Sequence, residues 1–228
     1  MKELIIYIYT LLFTVAHAFS QQVRIRKTQV WRLTVKNAKE SQLYVENSQI
    51  KKSLIQINDF GNVVHICGAK VERCEIRING RANQLAIHPQ CTIHNSVIVI
   101  NGNNCHIAIG TDTSVNSMYM VCMGQDNHIT IGESCMIADN VDIWSSDSHP
   151  IFNENNEVCN TSRPIEIGKH VWIGKSAKVL KGAVIHDNAI IGMGAIVTKE
   201  VPANTLIVGE NGRIVKSNVN WSREFIKI

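Results

Sequence analysis

From Ile167 onward the chain repeats with a period of six: IGKHVW, IGKSAK, VLKGAV, IHDNAI, IGMGAI, VTKEVP. An aliphatic residue (Ile167, Ile173, Val179, Ile185, Ile191, Val197) opens each block. A small or β-branched one (Val171, Ala177, Ala183, Ala189, Ala195, Val201) follows four positions later. Ile131 and Ile137 hold the same register upstream. A helix requires a period near 3.6 and a simple strand a period of 2, so neither accounts for six. The pattern predicts a triangular coil, in which each block is one short strand and a corner. The aliphatic side chain points inward, the small residue lets the corner close, and three blocks make a turn that stacks on the next.

A second, longer repeat precedes the first. INGRANQLAIH, INGNNCHIAIG and CMGQDNHITIG place Gly80, Gly102 and Gly124 at 22-residue intervals, and Gly61 in FGNVVHICG belongs to a degenerate earlier copy. A 22-residue period reads as an 18-residue turn with four residues bulging at a corner. The expected organisation is an amino-terminal apolar segment and cap over residues 1–49, a solenoid over 50–216 and a tail over 217–228. Between the two repeat types the pattern lapses in DIWSSDSHPIFNENNEVCNTSRPIEIG, Asp142 to Gly168. Residues 144–164 are expected to leave the coil as a loop, and insertions into solenoids commonly build the binding face.

Composition supports a packed, strand-rich chain. Of 228 residues 45% are hydrophobic, enough for a sizeable core, and only 18% are charged. The net charge of +4 makes no demand for nucleic acid but suits an anionic ligand. The seven cysteines are odd in number, scattered and without a CxxC pair, which argues against a disulfide framework or a metal knot. They read as reduced, with six of the seven acting as small hydrophobes in the repeats. The apolar run over residues 4–19 imitates a secretory signal but has Glu3 before it and is short for a membrane span. It is open to reading as a packing or peripheral helix, a signal or anchor, or a strand.

The hexads, together with DSHP and VWIG, resemble the left-handed parallel β-helix of the hexapeptide-repeat acetyltransferases. The segment HVWIGKSAKVLKGAVIHDNAIIGMGAIVTKEVPANTLIVGENGRIVK is similar to the galactoside, maltose and xenobiotic acetyltransferase branch. The Gly-Asn repeats resemble the bacterial capsule and lipopolysaccharide O-acetyltransferases. Handedness and reaction come from this resemblance and not from the period. It implies an all-β solenoid, a homotrimer, acetyl-CoA as donor and, as acceptor, a sugar hydroxyl of a bacterial surface polysaccharide or its precursor, with no nucleic acid partner. N-acetylation of an amino sugar or xenobiotic is the alternative, with a metal-dependent hydratase or a non-catalytic trimer further ones. The implied location is cytoplasmic, at the inner membrane face if residues 4–19 associate with lipid.

Within that resemblance His149 is the expected general base, because imidazole exchanges protons near neutral pH. Asp147 is the expected orienting acid, and Trp172 is expected beside the base. Gly174, Lys175, Gly192, Gly194, Thr198, Lys199 and Arg213 are the expected contacts of coenzyme A. Asp126, Trp144 and Arg163 are the expected contacts of the acceptor. His106, His128, His149 and His170 recur every 21 or 22 residues. They lack the five-residue spacing of the γ-class carbonic anhydrases on this fold, so no metal is expected.

Overall fold

The computed structural model describes residues 3–6, 23–37, 40–210 and 212–226. The described residues form strands, corners and one long loop, wound as a parallel coil of triangular cross-section. The first face is a nine-stranded ladder running from Val23–Arg26 to Glu200–Val201. The second face runs through Lys70–Glu72, Thr92–His94 and Met136–Ile137 to Trp172–Ile173, Ile190–Ile191 and Thr205–Val208. The third runs from Glu75–Asn79 through Val141–Trp144 to Lys178–Leu180 and Ile196–Val197. Two long strands, Gln29–Asn37 and Gln49–Ile57, bend across the second and third faces.

Register reproduces the two periods. His106 pairs with His128, 22 residues on, whereas Ile167 pairs with Ile185, 18 residues on. The extra length of the 22-residue turns lies largely in the third-face strands, such as the seven-residue Val97–Asn103, and in the corner after them. One turn carries the loop: Ile131 pairs with Ile167, 36 residues away. Every turn therefore aligns the same inward positions, and Ile109, Ile131, Ile167 and Ile185 fall in one buried column. Burying one such side chain contributes about 1.5–3 kcal/mol.

The corners explain the glycine and asparagine content. A Cβ on Gly80 would lie 2.0 Å from the Gly102 carbonyl oxygen, and one on Gly102 would lie 1.9 Å from that of Gly124. The buried Asn83 donates through Nδ2 to the carbonyls of Asn79 (3.1 Å) and Gly102 (2.8 Å) and accepts from the Cys105 N–H (2.9 Å). It thus satisfies corner groups that no strand reaches, which burial would otherwise penalise. Five cysteines are buried, Cys67 is half-buried and Cys159 is exposed. Burial raises the Cys74 and Cys135 thiols to about 11, consistent with a packing role.

Two boundaries differ from the sequence-based expectation. The coil begins at Val23 rather than near residue 50, because Val23–Arg26 and Gln42–Glu46 already stack in parallel on Val63–Cys67. Its early corners are turned by Lys27, Arg32, Asn47 and Lys52 in the left-handed region, so they lack a glycine signature. At the other end, Arg213–Ser217 pairs antiparallel with Thr205–Val208, and the tail packs back on the coil as far as Arg223. Glu3–Ile6 lies antiparallel on Gln29–Asn37. The rest of the apolar run, residues 7–19, lies outside the described residues. Among the described residues no helix is long and apolar enough to cross a membrane.

Candidate active site

The interrupting segment leaves the third face after Trp144 and rejoins the first face at Ile165. Its base is closed by the Arg163 N–H donating to the Ser145 carbonyl (3.0 Å). The buried Ser145 hydroxyl accepts from the Met123 N–H (3.1 Å) and from Asn127 Nδ2 (3.0 Å). The outer part is a small hairpin: Phe152 bridges Val158, and Asn153 caps the turn by accepting from the N–H groups of Asn155 and Glu157. The loop is thus internally hydrogen-bonded, and exposed Ile151, Phe152 and Val158 lie on it.

His149 and Asp147 meet through the backbone, the His149 N–H donating to the Asp147 carbonyl (2.8 Å). The Asp147 carboxylate turns instead to Lys181, with which it forms a short ion pair, and to Asn160 Nδ2 (2.9 Å). Asn160 also donates to the His149 carbonyl (2.9 Å), and Lys181 Nζ donates to the Asn160 carbonyl (3.1 Å). Asp147 thus anchors the loop to the next turn of the coil, and the chain that carries His149 is held on both sides. The spacing of Asp147 and His149 suggested a side-chain pair; the backbone turn at Ser148, with φ +68°, places the two side chains differently. Lys181 and Asn160 have no motif of their own. Lys181 occupies an ordinary hexad corner, and nothing in its local sequence marks it as the partner of a residue 34 positions away.

Lys181 and Asn160 hold the Asp147 carboxyl below the usual carboxylate range. A depressed folded-state pKa contributes anchoring that is present above the unfolded value and lost as pH falls through the folded one. The loop is therefore expected to stay anchored throughout the neutral range and to release only at strongly acid pH. Carbon NMR titration of the Asp147 carboxyl checks this: its midpoint should lie below that of an exposed aspartate and return to the usual range in Lys181→Ala.

The expected site residues fall into two groups at different corners of the triangle. At the corner between the third and first faces lie the loop with Asp147, His149 and Arg163, together with Trp144 just before it. Asp126 sits one turn below, its carboxylate accepting from Asn104 Nδ2 (2.6 Å), and Thr198 and Lys199 lie two turns above. Gly124 and the Ser162 side chain are adjacent there, tying the Asp126 turn to the loop. Trp144 packs on Tyr119 with ring centroids 5.5 Å apart.

The second group comprises Trp172, on the second face and 36% exposed, and Gly174, Lys175, Gly192 and Gly194 at the following corner. Arg213 pairs beside Val208 at the end of the same face. A Cβ on Gly174 or Gly192 would lie 2.8 Å from a carbonyl oxygen of the next turn, so coil stacking itself demands glycine there. Gly194, with φ +69°, has nothing within 4 Å of its missing Cβ and leaves an open surface. Among the described residues no hydrogen bond or ring contact joins the loop to Trp172. The residues expected at the site thus lie in two separate places on one chain. Among the described residues no group of three or more His, Cys, Asp or Glu could hold a metal ion.

The parallel coil with its one long loop matches the fold of left-handed β-helix acetyltransferases. The family model for bacterial transferase hexapeptides (six repeats) matches residues 164–199. The chain is 34% identical over 90 residues to the polysialic acid O-acetyltransferase of Escherichia coli O1:K1 / APEC. That match covers 39% of this chain and 29% of the relative. It is 39% identical over 87 residues to the galactoside O-acetyltransferase of Escherichia coli (strain K12), covering 37% and 41%. The matched segments thus span well under two thirds of these relatives. Similarity in three dimensions extends further: the polySia-specific acetyltransferase NeuO superimposes with a TM-score of 0.77 at 27% identity, over 84% of this chain and 83% of that one. The polysialic acid O-acetyltransferase OatWY gives 0.70 at 27%, over 89% and 93%. The family match thus rests on residues 164–199, and the likeness over most of the chain is one of fold with NeuO and OatWY.

Proposed function

We propose that the protein transfers acetyl from acetyl-CoA to a hydroxyl of an acidic glycan, with His149 as general base. The observation that carries this reading is the ordered loop that presents His149 on a coil of the NeuO type. In the proposed reaction His149 takes the proton of the acceptor hydroxyl as its oxygen attacks the thioester carbonyl. The tetrahedral intermediate then collapses, expelling the thiolate of coenzyme A, which takes up a proton. No acyl-enzyme is required, since both substrates meet in one complex. Because His149 and Trp172 occupy different corners, we place the site between neighbouring copies in a homotrimer. The loop corner of one copy would face the Trp172, Lys175 and Arg213 side of the next, which offers cations for the phosphates of the donor.

An acidic acceptor is favoured by the distribution of charge. Residues 23–100 contain twelve Lys and Arg against five Asp and Glu, net +7; residues 101–226 contain nine against thirteen, net −4. Successive corners between the second and third faces carry Arg32, Lys52 and Arg73, which line a groove of about 720 Å³. A second groove of about 410 Å³ shares Asn95 and Val97 with it and continues to Ser176 and Lys178, next to Lys175. Turns repeat about every 4.8 Å, so the three cations form a short row along the axis. Such a row attracts a polyanionic strand in a salt-dependent manner.

The test follows thiol release from acetyl-CoA with oligosialic acid, neutral galactosides and amino sugars as acceptors, and mass analysis of the products. Oligosialic acid should gain an alkali-labile acetyl ester, with kcat/KM falling as ionic strength rises. Exposed charges contribute up to about 1 kcal/mol each. At about 0.5 kcal/mol each, replacing Arg32, Lys52 and Arg73 together by Gln should raise KM for the acidic acceptor roughly tenfold and leave a neutral acceptor unaffected. Equal turnover of neutral and acidic acceptors at all salt concentrations would remove the acidic-glycan assignment.

A further inference from the structure

The carboxy-terminal tail does more than end the coil. After Arg213–Ser217 it crosses the column of corners between the first and second faces, against the direction in which the coil grows. The Val219 N–H donates to the Asn204 carbonyl (3.0 Å) in the last turn. Further back, the Arg223 guanidinium donates to the Cys135 carbonyl (3.1 Å) and to the Asp112 carbonyl, and lies 3.7 Å from the Asp112 carboxylate. Between these ends sits Trp221, only 8% exposed. Its indole stacks on the His170 ring, centroids 4.2 Å apart and planes 10° from parallel, and its Nε1–H donates to the His170 carbonyl (2.7 Å).

The other neighbour of Trp221 is Trp172, with centroids 6.1 Å apart and planes at 47°. His170 and Trp172 are two residues apart at the mouth of one strand. Trp172 pairs in register with Met136 below and Ile190 above, which fixes its backbone but not its indole. Trp172 lies on the second face, and the tail supplies an aromatic wall against it. His170, with φ +51°, is held by its own N–H to the Glu133 carbonyl (2.8 Å), so the platform under Trp221 is itself rigid.

We infer that Trp221 is a positioning residue, which fixes the Trp172 indole in the orientation needed at the acetyl-donor half-site, the tail serving as its strap. This inference rests on the placement of Trp172 in the site proposed above. Aromatic pairs in this geometry contribute beyond simple burial, and a misplacement of about 1 Å in a substrate-positioning group can cost roughly 100-fold in rate.

The experiment compares Trp221→Ala, Trp221→Phe and Arg223→Ala with the full chain. Three measurements are made: kcat and KM for acetyl-CoA, unfolding midpoint, and the near-ultraviolet circular dichroism and acrylamide quenching of Trp172. The Trp172 signal is isolated by difference against Trp172→Phe in each background. Trp221→Ala should lower kcat/KM for acetyl-CoA about 10–100-fold and make Trp172 more quenchable. Trp221→Phe, which keeps the stack but loses the Nε1–H bond, should retain most of both. Arg223→Ala weakens the tail remotely from Trp172 and should cost stability with little loss of rate.

The inference is overturned if Trp221→Ala turns over like the wild type. It is equally overturned if Arg223→Ala reproduces the full loss of rate at a matched loss of stability. Should Trp221→Ala not fold, Trp221→Leu, which fills the space without an aromatic ring, carries the same comparison, with the same loss of rate and of Trp172 shielding expected. If the wild type acetylates no acceptor, the proposed function fails by itself. The optical measurements still decide the positioning role: an unchanged Trp172 signal in Trp221→Ala would end it.

Discussion

His149→Ala is expected to lower acetyl transfer by about 10²–10⁴-fold, the usual contribution of a positioned proton acceptor, without altering the unfolding transition. The physical case lies in how the loop is built. The fixed contacts of His149 are backbone ones, to the Asp147 carbonyl and from Asn160. Truncating its side chain therefore leaves the Asp147–Lys181–Asn160 anchor in place. Steady-state thiol release at saturating acetyl-CoA, beside a thermal melt, separates loss of chemistry from loss of fold. The proposed subunit arrangement adds a sharper reading. Trp172→Ala should also be slow, and mixed trimers of the two variants should regain activity, because some interfaces would then pair an intact loop with an intact Trp172. Mixed trimers no more active than either parent would put the two half-sites in separate functions.

Gly102→Ala is expected to destabilise the coil by about 3 kcal/mol or more, at or beyond the upper end of ordinary overpacking costs. The added methyl would lie 1.9 Å from the Gly124 carbonyl oxygen and 2.8 Å from the Gly124 nitrogen. Both are backbone atoms, so no side chain can rotate away. The collision lies at the corner where Asn83 donates to the Gly102 carbonyl, so moving the backbone also breaks that bond. Gly194→Ala is the control: it has open space but a φ of +69°, and should cost only the roughly 1 kcal/mol of a left-handed alanine. Denaturant unfolding of both variants checks the ranking. Equal losses would mean that turn conformation, not contact between stacked corners, dictates the glycines.

Much of the architecture could be read from order alone. The hexads from Ile167 are the inward positions of the three faces, and the 22-residue spacing of Gly80, Gly102 and Gly124 is the register of stacked turns. Both are periodic because each turn solves the same packing problem as its neighbour. The early turns were not legible as repeats, since Lys27, Arg32 and Lys52 turn their corners without glycine. The loop announced itself as a lapse in the period, but its internal wiring did not. Asp147 was read as a partner of His149 from proximity in sequence, whereas its carboxylate bonds Lys181 and Asn160.

What the sequence by itself determined is the coil and the place where it is interrupted. Burial of one aliphatic column needs only a repeating pattern, and a repeating pattern is visible in one dimension. Tertiary structure alone decided which residues meet across turns. Winding brings Lys181 to Asp147, carries Trp221 back over 51 positions to His170, and sets the loop and Trp172 at different corners of the same triangle. Those meetings depend on turn length and on the path of the tail, quantities that no local motif encodes.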